Sequence, residues 1–80
     1  MKKDNPSKNV AKSAKNYFDK GRQLDEQKDH STAISTFDKA IRLDPNYVEA
    51  YNRRGTAKYK IGQYIEAISD YDEAISLEPN

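Results

Sequence analysis

The sequence predicts an all-α fold, a short α-α superhelix (solenoid) of two antiparallel helix-turn-helix repeats. Three observations carry that prediction. Shifting the chain against itself by 34 residues aligns residues 14–46 with residues 48–80, and 11 of the 33 pairs are identical, a period in the range of stacked supersecondary units. Within each unit the apolar residues Ala33, Ile34, Phe37, Ala40 and Ile41, then Ala67, Ile68, Tyr71, Ala74 and Ile75, recur at i, i+1, i+4, i+7 and i+8, one stripe on a 3.6-residue helix. Prolines and glycines cut the chain at intervals that suit short helices, and alternation of period two is absent.

In chain order, residues 1–12 read as a flexible basic arm. They carry Lys2, Lys3, Lys8 and Lys12 against Asp4, with Pro6 among polar residues, a composition that favours weak structure; Val10, Ala11 and Ala14 offer a way to extend the first helix backward. Residues 13–80 form the folded domain, with repeat one at 14–47 and repeat two at 48–80. Helices are predicted over 14–27, 31–43, 48–61 and 65–77. Lys28 and Asp29 separate the first pair. Pro45 stops the second helix and turns Asp44 away from helical dihedrals. Asn46, three residues before Glu49, suits the N-cap of the third helix. Gly62 suits a left-handed stop between the third and fourth.

Composition narrows the function. Eighty residues at 35% apolar content leave one domain with little room for a large enclosed cleft. The chain has no cysteine and one histidine, which removes thiol catalysis, disulfides and multi-histidine metal centres. Asp29, His30 and Ser31 are consecutive, so they point in different directions and make no catalytic relay; His30 reads as a half-buried spacer. Asp70, Asp72 and Glu73 lack the glycine-centred loop of a calcium site and read as a solvated acidic face. Gly21, Gly55 and Gly62 form no phosphate-cradling loop. No catalytic, cofactor or metal site is expected, and the chain reads as a non-enzyme. A net charge of +1 and lysines without interleaved aromatics argue against nucleic acid. No apolar run approaches the ~20 residues that span a bilayer and no secretory signal is evident, so no membrane partner and a cytoplasmic location are expected.

The repeat resembles the tetratricopeptide repeat over residues 14–80. Tyr17 and Tyr51 stand in the slot usually given to Trp, Gly21 and Gly55 at the close-approach glycine, and Ala33 and Ala67 at the small residue expected opposite it. Phe37, Tyr71, Ala40, Ala74, Pro45 and Pro79 complete the pattern. Lys20 and Arg54 depart from a usual Leu, and Lys58 from a frequent Tyr; their stems are expected to cover apolar surface while the charged heads reach water.

The resemblance implies a protein-protein interaction module in which the first helix of each unit lines a concave groove. The groove residues would be Lys15, Phe18, Asp19, Arg22 and Asp25 on the first helix and Glu49, Asn52, Arg53, Thr56 and Tyr59 on the third. Arg22 and Arg53 are the expected anchors for an acidic or carboxylate-bearing peptide, Asn52 would address peptide backbone, and Phe18 and Tyr59 would flank an apolar side chain. Glu49 and Arg53 stand at i, i+4 and offer the alternative of pairing with each other. The family's chaperone-binding members hold a terminal carboxylate with Lys and Asn on one groove helix and Asn on the next. Phe18, Arg22 and Arg53 stand at those places, so the resemblance does not extend to that clamp. A second reading is a self-assembly element or a fragment of a longer array, associating through an uncapped last hairpin whose exposed face would be Tyr71, Ile75 and Leu77.

Overall fold

The computed structural model describes residues 6–78 as four helices in hairpin succession: α1 (Pro6–Glu26), α2 (His30–Leu43), α3 (Val48–Lys60) and α4 (Tyr64–Leu77). The three later helices lie within a residue of their predicted bounds. The first differs. Residues 6–12, expected in a weakly structured arm, are helical; residues 1–5 lie outside the described part. Pro6 opens α1, where its missing N–H deprives the helix of nothing. Residues 9–13 are exposed and Ala14 is buried.

The two hairpins close with the same turn. Lys28 and Gly62, one period apart, both take left-handed backbone, at φ 67° and 86°. Around Gly62 the Gln63 N–H donates to the Lys58 carbonyl at 2.9 Å and the Gly62 N–H to Tyr59 at 3.0 Å. Around Lys28 the Asp29 N–H reaches the Leu24 carbonyl and the Lys28 N–H reaches Asp25, both at 2.9 Å. This pair of bonds is the Schellman closure. Glycine fits it without penalty, whereas a lysine there carries the steric cost of a Cβ in left-handed backbone. Asp29 also caps α2, accepting from the Thr32 N–H.

Between the hairpins, Asn46 does not cap α3 as expected. Its own N–H donates to Asp44 Oδ1 at 3.2 Å, and Tyr47 occupies the cap position without a side-chain bond. Asp44 holds this turn because its short carboxylate reaches the backbone two residues on, an Asx turn.

Packing follows from the stripes. The core gathers Phe18 of α1, Ala33, Phe37, Ala40 and Ile41 of α2, and Ala50 of α3, with Leu24, Tyr47 and Tyr51 against it. Hairpin α1–α2 packs on hairpin α3–α4 through α2 and α3. Helix α1 also touches α3, while α2 and α4 do not meet. The first helices therefore converge on one side and the second helices splay on the other, which makes α1 and α3 the inner layer of a curved stack.

At both glycines the nearest side-chain atoms belong to an aromatic ring, and at Gly55 the expected approach of Ala67 is present as well. A Cβ added at Gly21 would lie 2.6 Å from Cε1 and 2.7 Å from Cδ1 of Phe37. One at Gly55 would lie 3.0 Å from Cε1 of Tyr71 and 3.2 Å from the Ala67 carbonyl oxygen. In both hairpins the glycine makes room for an aromatic ring, and in the second it also receives the neighbouring backbone. Phe37 is fully buried and has nowhere to retreat, whereas Tyr71 is half-buried. Gly21→Ala is therefore expected to destabilise the protein by about 1–3 kcal/mol through overpacking, exceeding the ~1 kcal/mol gained in helix propensity, and Gly55→Ala by less. Urea unfolding of both variants checks the order.

Candidate functional site

The inner face of α1 and α3 carries the side chains predicted to line a groove, and the structure divides them into free and engaged groups. Arg22, Asn52 and Arg53 are exposed, and Tyr59 is 58% exposed with its ring edge-on to Tyr64 at 5.1 Å between centroids. Arg53 forms no ion pair with Glu49, so the alternative of mutual pairing is not realised. Lys15 pairs with Asp19 at 2.9 Å across one turn, an exposed contact of small worth.

Three of the expected groove residues serve other contacts. Phe18 is 4% exposed and lies between Phe37 and Tyr47, at ring-centroid distances of 5.8 and 5.0 Å. It belongs to the core and offers a ligand no apolar wall. Helix periodicity placed it on the groove side, but Tyr47, arriving from the inter-repeat turn, covers it. What it contributes to the face is support for Arg22, whose guanidinium lies 5.9 Å above its ring, an attractive cation–π placement. Thr56 is half-buried, with its hydroxyl shared between the Asn52 carbonyl at 3.1 Å and the Tyr71 hydroxyl at 2.9 Å. Asp25 is nearly covered and is held by the His30 ring nitrogen and by Lys60 Nζ at 3.3 Å. His30 is thus the half-buried spacer expected, with a carboxylate partner.

The predicted association face also changes. Tyr71 turns toward α3, with its ring over Gly55 and its hydroxyl on Thr56, because it occupies in the second hairpin the place of Phe37 in the first. Leu77 is half-buried. Ile75 is 62% exposed and is joined by Ile65 at 81% and Ile68 at 57%.

The largest departure from the sequence reading lies between the repeats. Arg54 does not send its head to water. Its Nη1 donates to Asp38 of α2 at 2.7 Å, and its Nε and Nη2 form a two-point fork on Asp70 of α4 at 2.9 and 2.6 Å. Lys58 adds a third cationic contact, to Asp70 at 3.0 Å, and the Arg54 guanidinium lies 5.5 Å from the Tyr51 ring centre. Asp70, expected on a solvated acidic face, is 3% exposed; two cations compensate its burial, as a buried carboxylate requires. The bonds to Asp70, above all, raise the Arg54 pKa. The sequence did hold a signal: two cations, Arg54 and Lys58, sit in slots where the pattern asks for apolar residues, one turn apart on one helix.

Among the described residues no group of three or more potential ligands could hold a metal ion, and no helix is long and apolar enough to cross a membrane. The folded body measures 51 × 30 × 16 Å.

The tetratricopeptide repeat family matches this architecture in two registers, over residues 48–80 and, as the TPR repeat, over residues 21–62. The second match covers more than half of the chain. The chain belongs to the tetratricopeptide repeat family. It is 37% identical over 54 residues to a TPR repeat-containing protein of Rhizobium etli, a match spanning 68% of this chain and 26% of that protein. It is 51% identical over 35 residues to the anaphase-promoting complex subunit CDC27 of Saccharomyces cerevisiae, spanning 44% of this chain and 5% of that protein. The chain therefore spans only about a quarter of the length of the first relative and a twentieth of the second. Tetratricopeptide repeat domains are typically protein-interaction modules that bind protein partners, and the family is generally non-catalytic.

Two measurements follow from the site's electrostatics. Arg54→Met is expected to lower stability by about 2 kcal/mol, because Asp70 stays buried with Lys58 as its remaining cation, whereas Asp38→Asn, at the more exposed end, costs under about 1 kcal/mol; urea titration separates the two. Burial, foremost, raises the pKa of both Tyr47 and Tyr51 above 10.0. Each phenol keeps its proton to higher pH in the fold than in the unfolded chain, so its contribution is complete below pH 10 and is lost as pH rises through the folded-state value. The urea midpoint should fall above pH 10, and less steeply in Tyr47→Phe.

Proposed function

We propose that the inner face of α1 and α3 binds a short acidic segment of a partner protein, without catalysis. The observation that carries this reading is the pair of exposed guanidiniums, Arg22 and Arg53, on the two converging helices, with Asn52 and Tyr59 also exposed on α3. A guanidinium presents a planar fork of donors matched to a carboxylate. Arg22 is partly oriented by the Phe18 ring beneath it, which lowers the ordering cost of binding. Asn52 adds a donor and an acceptor for an extended backbone. The family supports the general role, since solenoids of this kind use their extended concave faces for recognition. The acidic character of the ligand comes from Arg22 and Arg53 themselves.

An immobilised library of short acidic peptides provides the probe. Arg22→Ala and Arg53→Ala are each expected to weaken the best-binding peptide about tenfold, the equivalent of ~1.4 kcal/mol, with unchanged helical circular dichroism. Binding should weaken further as salt is raised. Equal capture by the wild type and the double variant would refute the reading. Phe18→Ala is unsuited to the test, because it opens the core at a cost of about 3–5 kcal/mol.

A further inference from the structure

We infer that the outer face of α4 is a docking surface for α1 of a second copy of this chain, giving head-to-tail association. The internal repeat supplies the template. Ile34 and Ile41 of α2 are half-buried and 9% exposed, whereas Ile68 and Ile75, one period later on α4, are 57% and 62% exposed. The pairs are chemically identical, and their difference is that α3 lies against α2 while no described element lies against the outer face of α4. On α4, Ile68 and Ile75 therefore present an apolar stripe whose counterpart on α2 is already covered by a known kind of helix, the first helix of a repeat; Ile65, 81% exposed, extends the stripe where α2 has an exposed Ser31.

Helix α1 is the other first helix in the molecule, and its residues match those α3 uses. Tyr17 stands one period before Tyr51, which packs against the core from α3, and Tyr17 is 38% exposed. Lys20 stands one period before Arg54. Asp72 stands one period after Asp38, the α2 carboxylate that Arg54 grips at 2.7 Å across the inter-repeat contact. Both Lys20 and Asp72 are exposed. Setting α1 of one molecule on α4 of another, as α3 sits on α2, therefore brings Lys20 to Asp72 and Tyr17 to the isoleucine stripe. Within its own hairpin, Arg54 is also gripped by Asp70; the residue one period before Asp70 is Thr36, which carries no charge. Lys20 thus has no corresponding carboxylate on α2, and its ammonium is left for the intermolecular contact.

The fit is looser than the internal one. Asn16 stands where α3 has Ala50, which is fully buried, and the larger polar side chain holds the copies farther apart. Association is therefore reversible and concentration-dependent. Because the two surfaces differ, the contact is heterologous, and successive copies add head to tail.

Sedimentation velocity over a concentration series tests this with two exposed charge reversals that leave the core intact. The wild-type mean mass should rise with concentration. Lys20→Glu and Asp72→Lys, each alone, should stay monomeric, since each sets like charges together at every junction. Their equimolar mixture should associate again, because every mixed junction joins opposite charges. Arg22→Ala with Arg53→Ala should associate as the wild type does, which separates this surface from the proposed peptide groove. A wild type that is monomeric throughout the series overturns the proposal. So does association that Lys20→Glu leaves unchanged, the result expected if two α4 faces pair with each other.

Discussion

An aromatic ring laid over a bare glycine backbone is the constraint on which the rest of this structure depends. Phe37 fills the space at Gly21 and Tyr71 fills the space at Gly55, at separations that a Cβ would violate. Each ring sets how closely its two helices approach, and the same arrangement one period apart gives both hairpins nearly the same shape. Equivalent hairpins are what allow stacking with a regular curvature. The small core of alanines and one fully buried phenylalanine follows from that spacing, since closely approaching helices leave little volume for larger side chains.

What joins one hairpin to the next is of a different kind. Apolar contact between α2 and α3 is supplemented by Arg54, whose Nε, Nη1 and Nη2 reach carboxylates on the helix before and the helix after its own. A guanidinium suits this place because its fork addresses Asp70 at two points and Asp38 at a third, which a lysine's single ammonium does not reproduce. Such a network fixes orientation where alanine-rich surfaces would tolerate sliding. Its partial burial makes each partner's removal costly, although the intact network contributes little beyond what apolar side chains would provide.

The two surfaces left over from this packing differ in chemistry. The converging side of α1 and α3 is polar, with Arg22, Asn52 and Arg53 exposed, and suits a charged segment lying along it. The outer face of α4 is aliphatic, with Ile65, Ile68 and Ile75 exposed, and suits another helix. Both arise from the same repeat: the groove lies where first helices meet, and the apolar stripe is what each second helix offers to the next unit in a stack.

The 34-residue period, the helix order, the turn at Gly62 and the apolar stripe were all legible in the sequence, because they depend on neighbours within one helix or on local backbone preference. Identical residues at equal offsets need not meet equivalent surroundings: Ile41 is 9% exposed and Ile75, one period later, 62%, because α3 lies against α2. The fates of Phe18, Thr56, Tyr71, Asp70 and Arg54 were decided by the tertiary structure. Each is claimed by a residue on another element: Phe18 by Tyr47, Thr56 by Tyr71, and Asp70 by Arg54 and Lys58. Helical periodicity assigns a side chain to a face but not to a partner. The distance from α3 to α4, set by the Tyr71 ring over Gly55, brings Arg54 and Lys58 close enough to Asp70 for these charges to be buried together.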